Sequence, residues 1–289
     1  MLLLPTGVLT ALCVADPPAP ATAPATDAPT PNSARVPIPG TALAVELVEV
    51  PALVDGATLW VGRTEIPWEV LDVFVHGLDE GESTPEADAV TRPSKPYISM
   101  DRGFGHHGFP AISVSHRNAT EFCRWLRAKT GAAFRLPTRA EWSALCARSA
   151  ISAEARPAHA WLAENSERRT HEVGSRKADA AGLHDLLGNA CEWATDGESF
   201  VVMGGSYRDS AASLSCDFAV PANKEWNASD PQIPRGEWWL ADGGFVGFRV
   251  VCESVPTQTQ RRSPQQSTKE SSGDSKKRTE NGAEKESKP

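Results

Sequence analysis

Apolar positions recur at helical spacing most clearly in one segment of the chain. Ala119, Phe122, Cys123 and Leu126 stand at i, i+3, i+4 and i+7, which is one face of an amphipathic helix. Ser115 precedes them as an N-cap, and Gly131 supplies the stop. A second helix is predicted to open at Thr138, with Glu141 completing a capping box and Trp142, Leu145 and Cys146 on its inner face. A shorter helix follows Pro67 and runs to Val75, burying Val70, Val73 and Phe74. Residues 43–50 alternate loosely and residues 57–64 are rich in β-branched and aromatic side chains, so both read as strands. Residues 199–203 and 247–252 are further strand candidates, while the polar, proline-bearing residues 76–100 read as a loop. Helices inside a loop-rich, partly β region predict an α+β fold. The pattern does not set the topology.

The two ends lack such patterning. Residues 1–15 form a short apolar run closing on Cys13-Val14-Ala15, which reads as a secretory signal although no Lys or Arg precedes it. The run is too short to span a bilayer. Residues 16–39 are dominated by Pro, Ala and Thr and read as a linker. Residues 254–289 are polar with almost no apolar side chain, and read as a disordered tail. Between them, residues 40–253 hold all nine Trp and nine Phe and are long enough for one domain with its own core. The chain is therefore expected to be exported, as a periplasmic, cell-surface or secreted protein.

Charge narrows the partners. The whole chain has a formal net charge of −8. The tail carries 8 basic and 5 acidic residues, leaving 21 basic and 32 acidic in the remainder. An acidic body lacks the basic footprint of a nucleic-acid binder. None of the six cysteines forms a Cys-x-x-Cys pair, so a zinc ribbon or thioredoxin motif is not expected. In an exported chain they read as a sparse disulfide framework.

Residues 182–193 read Gly-Leu-His-Asp-Leu-Leu-Gly-Asn-Ala-Cys-Glu-Trp. Asp185 and Glu192 bracket a turn at Gly188 and Asn189, and hard oxygens around exposed carbonyls suit calcium. An ordinary Gly-Asn turn between strands is the alternative. His106, His107 and His116 offer another donor set, for zinc or iron; the alternative is a polar loop with one histidine at a helix start.

Several strings in order carry a resemblance. They are Thr64-Glu65-Ile66-Pro67, Pro110-Ala111-Ile112-Ser113-Val114-Ser115, Phe122-Cys123-Arg124-Trp125-Leu126 and Arg135-Leu136-Pro137-Thr138-Arg139-Ala140-Glu141-Trp142, then residues 182–193, Gly204-Gly205-Ser206-Tyr207 and Gly247-Phe248-Arg249. Together they resemble the formylglycine-generating enzyme, or sulfatase-modifying factor, family over residues 40–253. The resemblance implies a C-type-lectin-like variant fold, α+β with little regular structure. It also implies a calcium site made by Asp185, the carbonyls of Gly188 and Ala190, and Glu192. It implies disulfides Cys123–Cys252 and Cys146–Cys216, although Cys252 lies two residues late for the first. Cys191 would then be a free, small, buried thiol.

The same resemblance raises the question of activity. Family oxidases bind Cu(I) through two cysteines and convert a sulfatase cysteine to formylglycine. The matching positions hold Asp209 and Leu214, which cannot act as that thiolate pair. Copper is not expected. Residues 223–245 add a Pro- and Trp-rich loop, and Ser206, Tyr207, Trp226, Trp238 and Trp239 are candidates for a groove. The alternative is that these rings pack the core. The function expected is a non-catalytic or repurposed module binding a protein, peptide or glycan. The alternative is a divergent oxidase that matures a partner sulfatase.

Overall fold

A computed structural model describes residues 32–79, 84–149 and 151–255, together with the backbone of 260–262. The segment read as a signal lies outside the described residues. In chain order the elements are β1 Ser33–Pro37, β2 Ala44–Val50, β3 Leu59–Gly62, α1 Trp68–His76, α2 Pro85–Asp88 and α3 His116–Thr130. There follow β4 Phe134–Arg135, α4 Arg139–Ser149, α5 Arg156–His159, β5 Cys191–Asp196 and β6 Ser199–Met203. The last are β7 Ala219–Pro221, β8 Val246–Gly247, β9 Val251–Cys252 and β10 Gln260–Arg262. The predicted helices form where the pattern placed them. Ser115 Oγ accepts from Asn118 N at 3.1 Å, and Gly131 ends α3 in the left-handed region. The Thr138–Glu141 capping box closes in both directions, at 3.1 and 2.8 Å.

One sheet has the order β10-β1-β2-β3-β9-β4 and the other β7-β6-β5-β8. The larger sheet is covered on both faces, which explains the loose alternation of β2. Val45 and Leu47 face a core shared with α1 and α3, built around Phe74, Phe122 and Trp125. Val48 and Val50 face the other way, toward Trp142 and Leu145 of α4 and Met203 of β6. Successive strand residues point to opposite faces, so a strand buried on both reads as nearly continuous apolar sequence. The fold is α+β, as expected.

Three expectations require correction. The residues read as linker include β1, which pairs along its length with β2, so the folded unit begins before residue 40. The residues read as tail include β10, whose backbone pairs with β1. Cys146 and Cys216 are bonded, but Cys123 and Cys252 are separate buried thiols. A displacement of two residues along a strand keeps the face yet moves the side chain by about 7 Å, beyond the reach of a disulfide. Cys252 Sγ instead donates to the Ser254 carbonyl at 3.0 Å.

Candidate functional site

Residues 182–193 form a hub that enters directly into β5. Gly188 adopts φ 80°, and a Cβ there would meet the Trp161 carbonyl oxygen at 2.3 Å, so the position requires glycine. Asn189 N donates to that same carbonyl at 2.8 Å, and the Asn189 carbonyl accepts from Tyr207 N at 2.9 Å. The Asn189 side chain bonds both backbone groups of His171, at 2.9 and 3.2 Å. The turn thus ties the loop carrying Trp161 and His171 to the loop carrying Tyr207.

Behind the turn lies a buried charged network. Glu192 accepts from Arg249 at 2.7 and 3.0 Å and from Trp142 Nε1 at 2.8 Å. Arg249 also donates to the carbonyls of Gly62 and His184, each at 2.7 Å. Asp185 Oδ2 accepts from Gly174 N at 2.7 Å, while Asp185 Oδ1 and both Glu65 carboxyl oxygens are buried without a partner. Burial pushes the Asp185 carboxyl up to about 6. Burial also raises Glu65, with the charges of Asp185 and Glu192 adding and Arg249 opposing. Burial away from water penalises the charged form of both groups.

The four expected calcium donors do not fit a cation in this arrangement. Asp185 Oδ1 has no partner, but the Glu192 oxygens are already held by Arg249 and Trp142. Turning Glu192 toward an ion would strand a buried guanidinium. The three histidines are dispersed. His106 is held by Asp72 and Asp101 at 2.7 and 3.1 Å, His116 stacks on Phe200 with centroids 4.0 Å apart, and His107 is exposed.

The positions matching the copper cysteines have other work. Asp209 Oδ2 accepts from Ser206 N at 2.8 Å and from Ser206 Oγ at 3.0 Å, closing the turn that carries Tyr207. Leu214 is buried against Gly205, where an added Cβ would lie 2.2 Å from Leu214 Cδ2. Cys216 is consumed by its disulfide, and burial raises the Cys191 thiol far above its ordinary range. This donor set does not fit Cu(I).

The five groove candidates are not brought to one place. Trp238 and Trp239 line a small apolar cleft of about 70 Å³ with Tyr97 and Ile98. Trp239 Nε1 is anchored on the Ser94 carbonyl at 2.8 Å, and the Arg117 guanidinium lies 4.5 Å from the Trp238 ring centroid. Trp226 packs inward against Trp193 and Phe245, as core packing would have it. Ser206 is buried in the Asp209 turn. Tyr207 lines a separate cavity of about 450 Å³ with Ala163, Arg168 and Arg208. The arginines escaped sequence reading because Arg168 lies in a region without periodicity. Arg208 stood beside Tyr207 in plain view.

Comparisons with known proteins agree with this architecture. A model of the sulfatase-modifying factor enzyme 1-like domain matches residues 54–254. No match was found among curated proteins. The fold is similar to that of Treponema denticola variable protein 1, at 16% identity and TM-score 0.53, over 77% of this chain and 99% of that one. It is also similar to PvdO from Pseudomonas aeruginosa, at 19% identity and TM-score 0.50, over 75% of this chain and 99% of that one. No described helix is long and apolar enough to cross a membrane. The chain belongs to the sulfatase-modifying factor family, of which it is a divergent member.

Proposed function

We propose that this domain is a binding module on a formylglycine-generating-enzyme scaffold, which takes a protein or peptide ligand at the face carrying Tyr207. The observation that carries this reading is the fate of positions 209 and 214. Asp209 closes the turn beneath Tyr207 and Leu214 fills the space over Gly205, while a 450 Å³ cavity stays open beside them. Fixed polar and aromatic groups around a cavity of this size are what a ligand site needs. Export is part of the proposal, and the Cys146–Cys216 bond supports it because such bonds persist in oxidising compartments.

The test is to incubate the purified protein with Cu(I), dioxygen and a cysteine peptide of the sulfatase type. The expected result is unmodified peptide, with no thiolate–copper absorption in an anaerobic titration. Formation of formylglycine would overturn the proposal in favour of a sulfatase-maturing oxidase. A peptide array supplies the positive arm: retained peptides should be lost on Tyr207→Ala, and an array that retains none counts against the proposal.

A further inference from the structure

The cavity beside Tyr207 has a charge pattern unlike the rest of this acidic chain. Two loops build it. Ser166 is wholly buried, donates from Oγ to the Tyr207 carbonyl at 2.8 Å and accepts from Arg168 N at 3.2 Å. One hydroxyl therefore fixes Arg168 relative to Tyr207. Ala163 N donates to the Asp209 carbonyl at 2.9 Å and holds the wall between them. Glu167 and Arg168 both adopt left-handed backbone, with φ of 54° and 61°. Two consecutive non-glycine residues in that region are strained, and such strain gathers where geometry serves a ligand.

The neighbouring carboxylates are committed elsewhere. Asp209 caps Ser206, Glu164 accepts from Ala211 N at 3.0 Å, and Glu167 pairs with Arg169 at 3.0 Å. Neither Arg168 nor Arg208 forms an ion pair among the described residues. The Arg208 guanidinium lies 4.6 Å from the Phe245 ring centroid, which orients it without neutralising it. Arg102 adds a third positive charge near Tyr207, although its own donors are spent on Ser113 and on the carbonyls of Leu240 and Ala241. The Tyr207 hydroxyl has no hydrogen-bond partner among the described residues, and the ring is fixed edge-on against Phe104 with centroids 5.6 Å apart.

We propose that this cavity binds an oxyanion carried by the peptide or protein ligand, with Arg168 and Arg208 gripping the oxygens and the Tyr207 hydroxyl donating a further hydrogen bond. Guanidinium forks match the oxygens of carboxylate, sulfate and phosphate, and such charge-assisted bonds are stronger than neutral ones. The inference deepens the binding reading of this site and rests on it, but it fails separately. Formylglycine formation would remove the binding-module reading and leave an anion titration unchanged. A silent anion titration would leave the peptide-array result standing.

The experiment is isothermal titration of the full chain with inorganic phosphate, inorganic sulfate and acetate, each at constant ionic strength against chloride. Saturable binding of at least one is expected, and the order among the three separates tetrahedral anions from carboxylates. Arg168→Gln and Arg208→Gln should each weaken it about tenfold or more, and Tyr207→Phe by a smaller factor. Arg117→Gln, over the separate Trp238 ring, should change nothing. If a Gln variant fails to fold, Nε–Hε resonances of the wild-type arginines provide the readout, and those of Arg168 and Arg208 should shift on titration. No saturable binding of any of the three anions, or equal binding by folded Arg168→Gln and Arg208→Gln proteins, would overturn the proposal.

Discussion

Arg249 holds a permanent positive charge where water does not reach. Its donors are divided among Glu192, Gly62 and His184, so one side chain joins β3, β5 and the loop before the Gly188 turn. A buried pair of this kind contributes little beyond an apolar replacement, yet removing one member strands the other. Arg249→Met should therefore destabilise by about 3–5 kcal/mol, read as a lower urea midpoint at an unchanged slope. Adding Glu192→Leu should recover part of that loss, and a single substitution without effect would refute the network. Two histidines give opposite pH signatures. Burial pushes His116 down to about 4, so the stability tied to its neutral form is present above 6.5 and lost as pH falls through about 4. His116→Leu should flatten the acid limb of a stability–pH curve across that interval. For His106, burial opposes protonation, but the hydrogen bonds and charges of Asp72 and Asp101 outweigh it and raise its pKa. That contribution is full below the ordinary histidine value and is lost as pH rises through the raised one. His106→Gln should remove this neutral-side slope and leave the acid limb intact. Identical curves for wild type and variant would count against either assignment.

Helix ends in this protein differ in what else they hold. The Thr138 side chain caps α4, through reciprocal bonds with Glu141. Ser115 caps α3 and also donates to the Glu237 carbonyl at 2.6 Å, tying the helix to the Trp-rich loop. Thr138→Ala should cost about 1 kcal/mol, and Ser115→Ala about 2 kcal/mol with a disturbed Trp238 environment. Urea denaturation with tryptophan fluorescence measures both, and equal costs with no spectral change would refute the second role. The same contrast explains what was legible in the sequence. Caps, the Gly131 stop and the spacing of Ala119, Phe122 and Leu126 are local, and the helices follow from them. The strands are different: β4, β8 and β9 are two residues each and exist through partners far away in sequence, as when Cys252 lies opposite both Trp60 and Phe134. β1 hides among prolines and threonines because its pairing with β2 sets its structure, not its composition. Asp209 and Leu214 were legible as departures from a pattern. Their new partners, Ser206 and Gly205, and the cavity with Arg168 were not, because a loop-to-loop contact leaves no periodic trace.

At the scale of the whole molecule, two kinds of strut compete to explain how a domain with so many loops stays folded. A metal strut would have to draw on Asp185 and Glu192, but Arg249 already neutralises Glu192. The covalent strut is Cys146–Cys216, which joins α4 to the loop after the Tyr207 turn across a separation of 70 residues. It also restrains the segment in which Leu214 covers Gly205, so its loss should be felt near the candidate site. Closing a loop of that length is worth about 4 kcal/mol in the chain-entropy account, or about 8–16 °C in Tm for a domain of this size. A chelator alone should leave Tm unchanged, because a ligand that does not bind the native state cannot shift it. A reductant should lower Tm, and Cys146→Ser with Cys216→Ser should reproduce the drop and abolish further sensitivity to reductant. The two treatments are informative together. A chelator-induced fall reversed by added calcium, and lost in Asp185→Ala, would show that an ion displaces the guanidinium network after all. A reductant effect without a chelator effect would assign the stiffness of the Tyr207 face to the disulfide and to the Arg249–Glu192 pair beneath it.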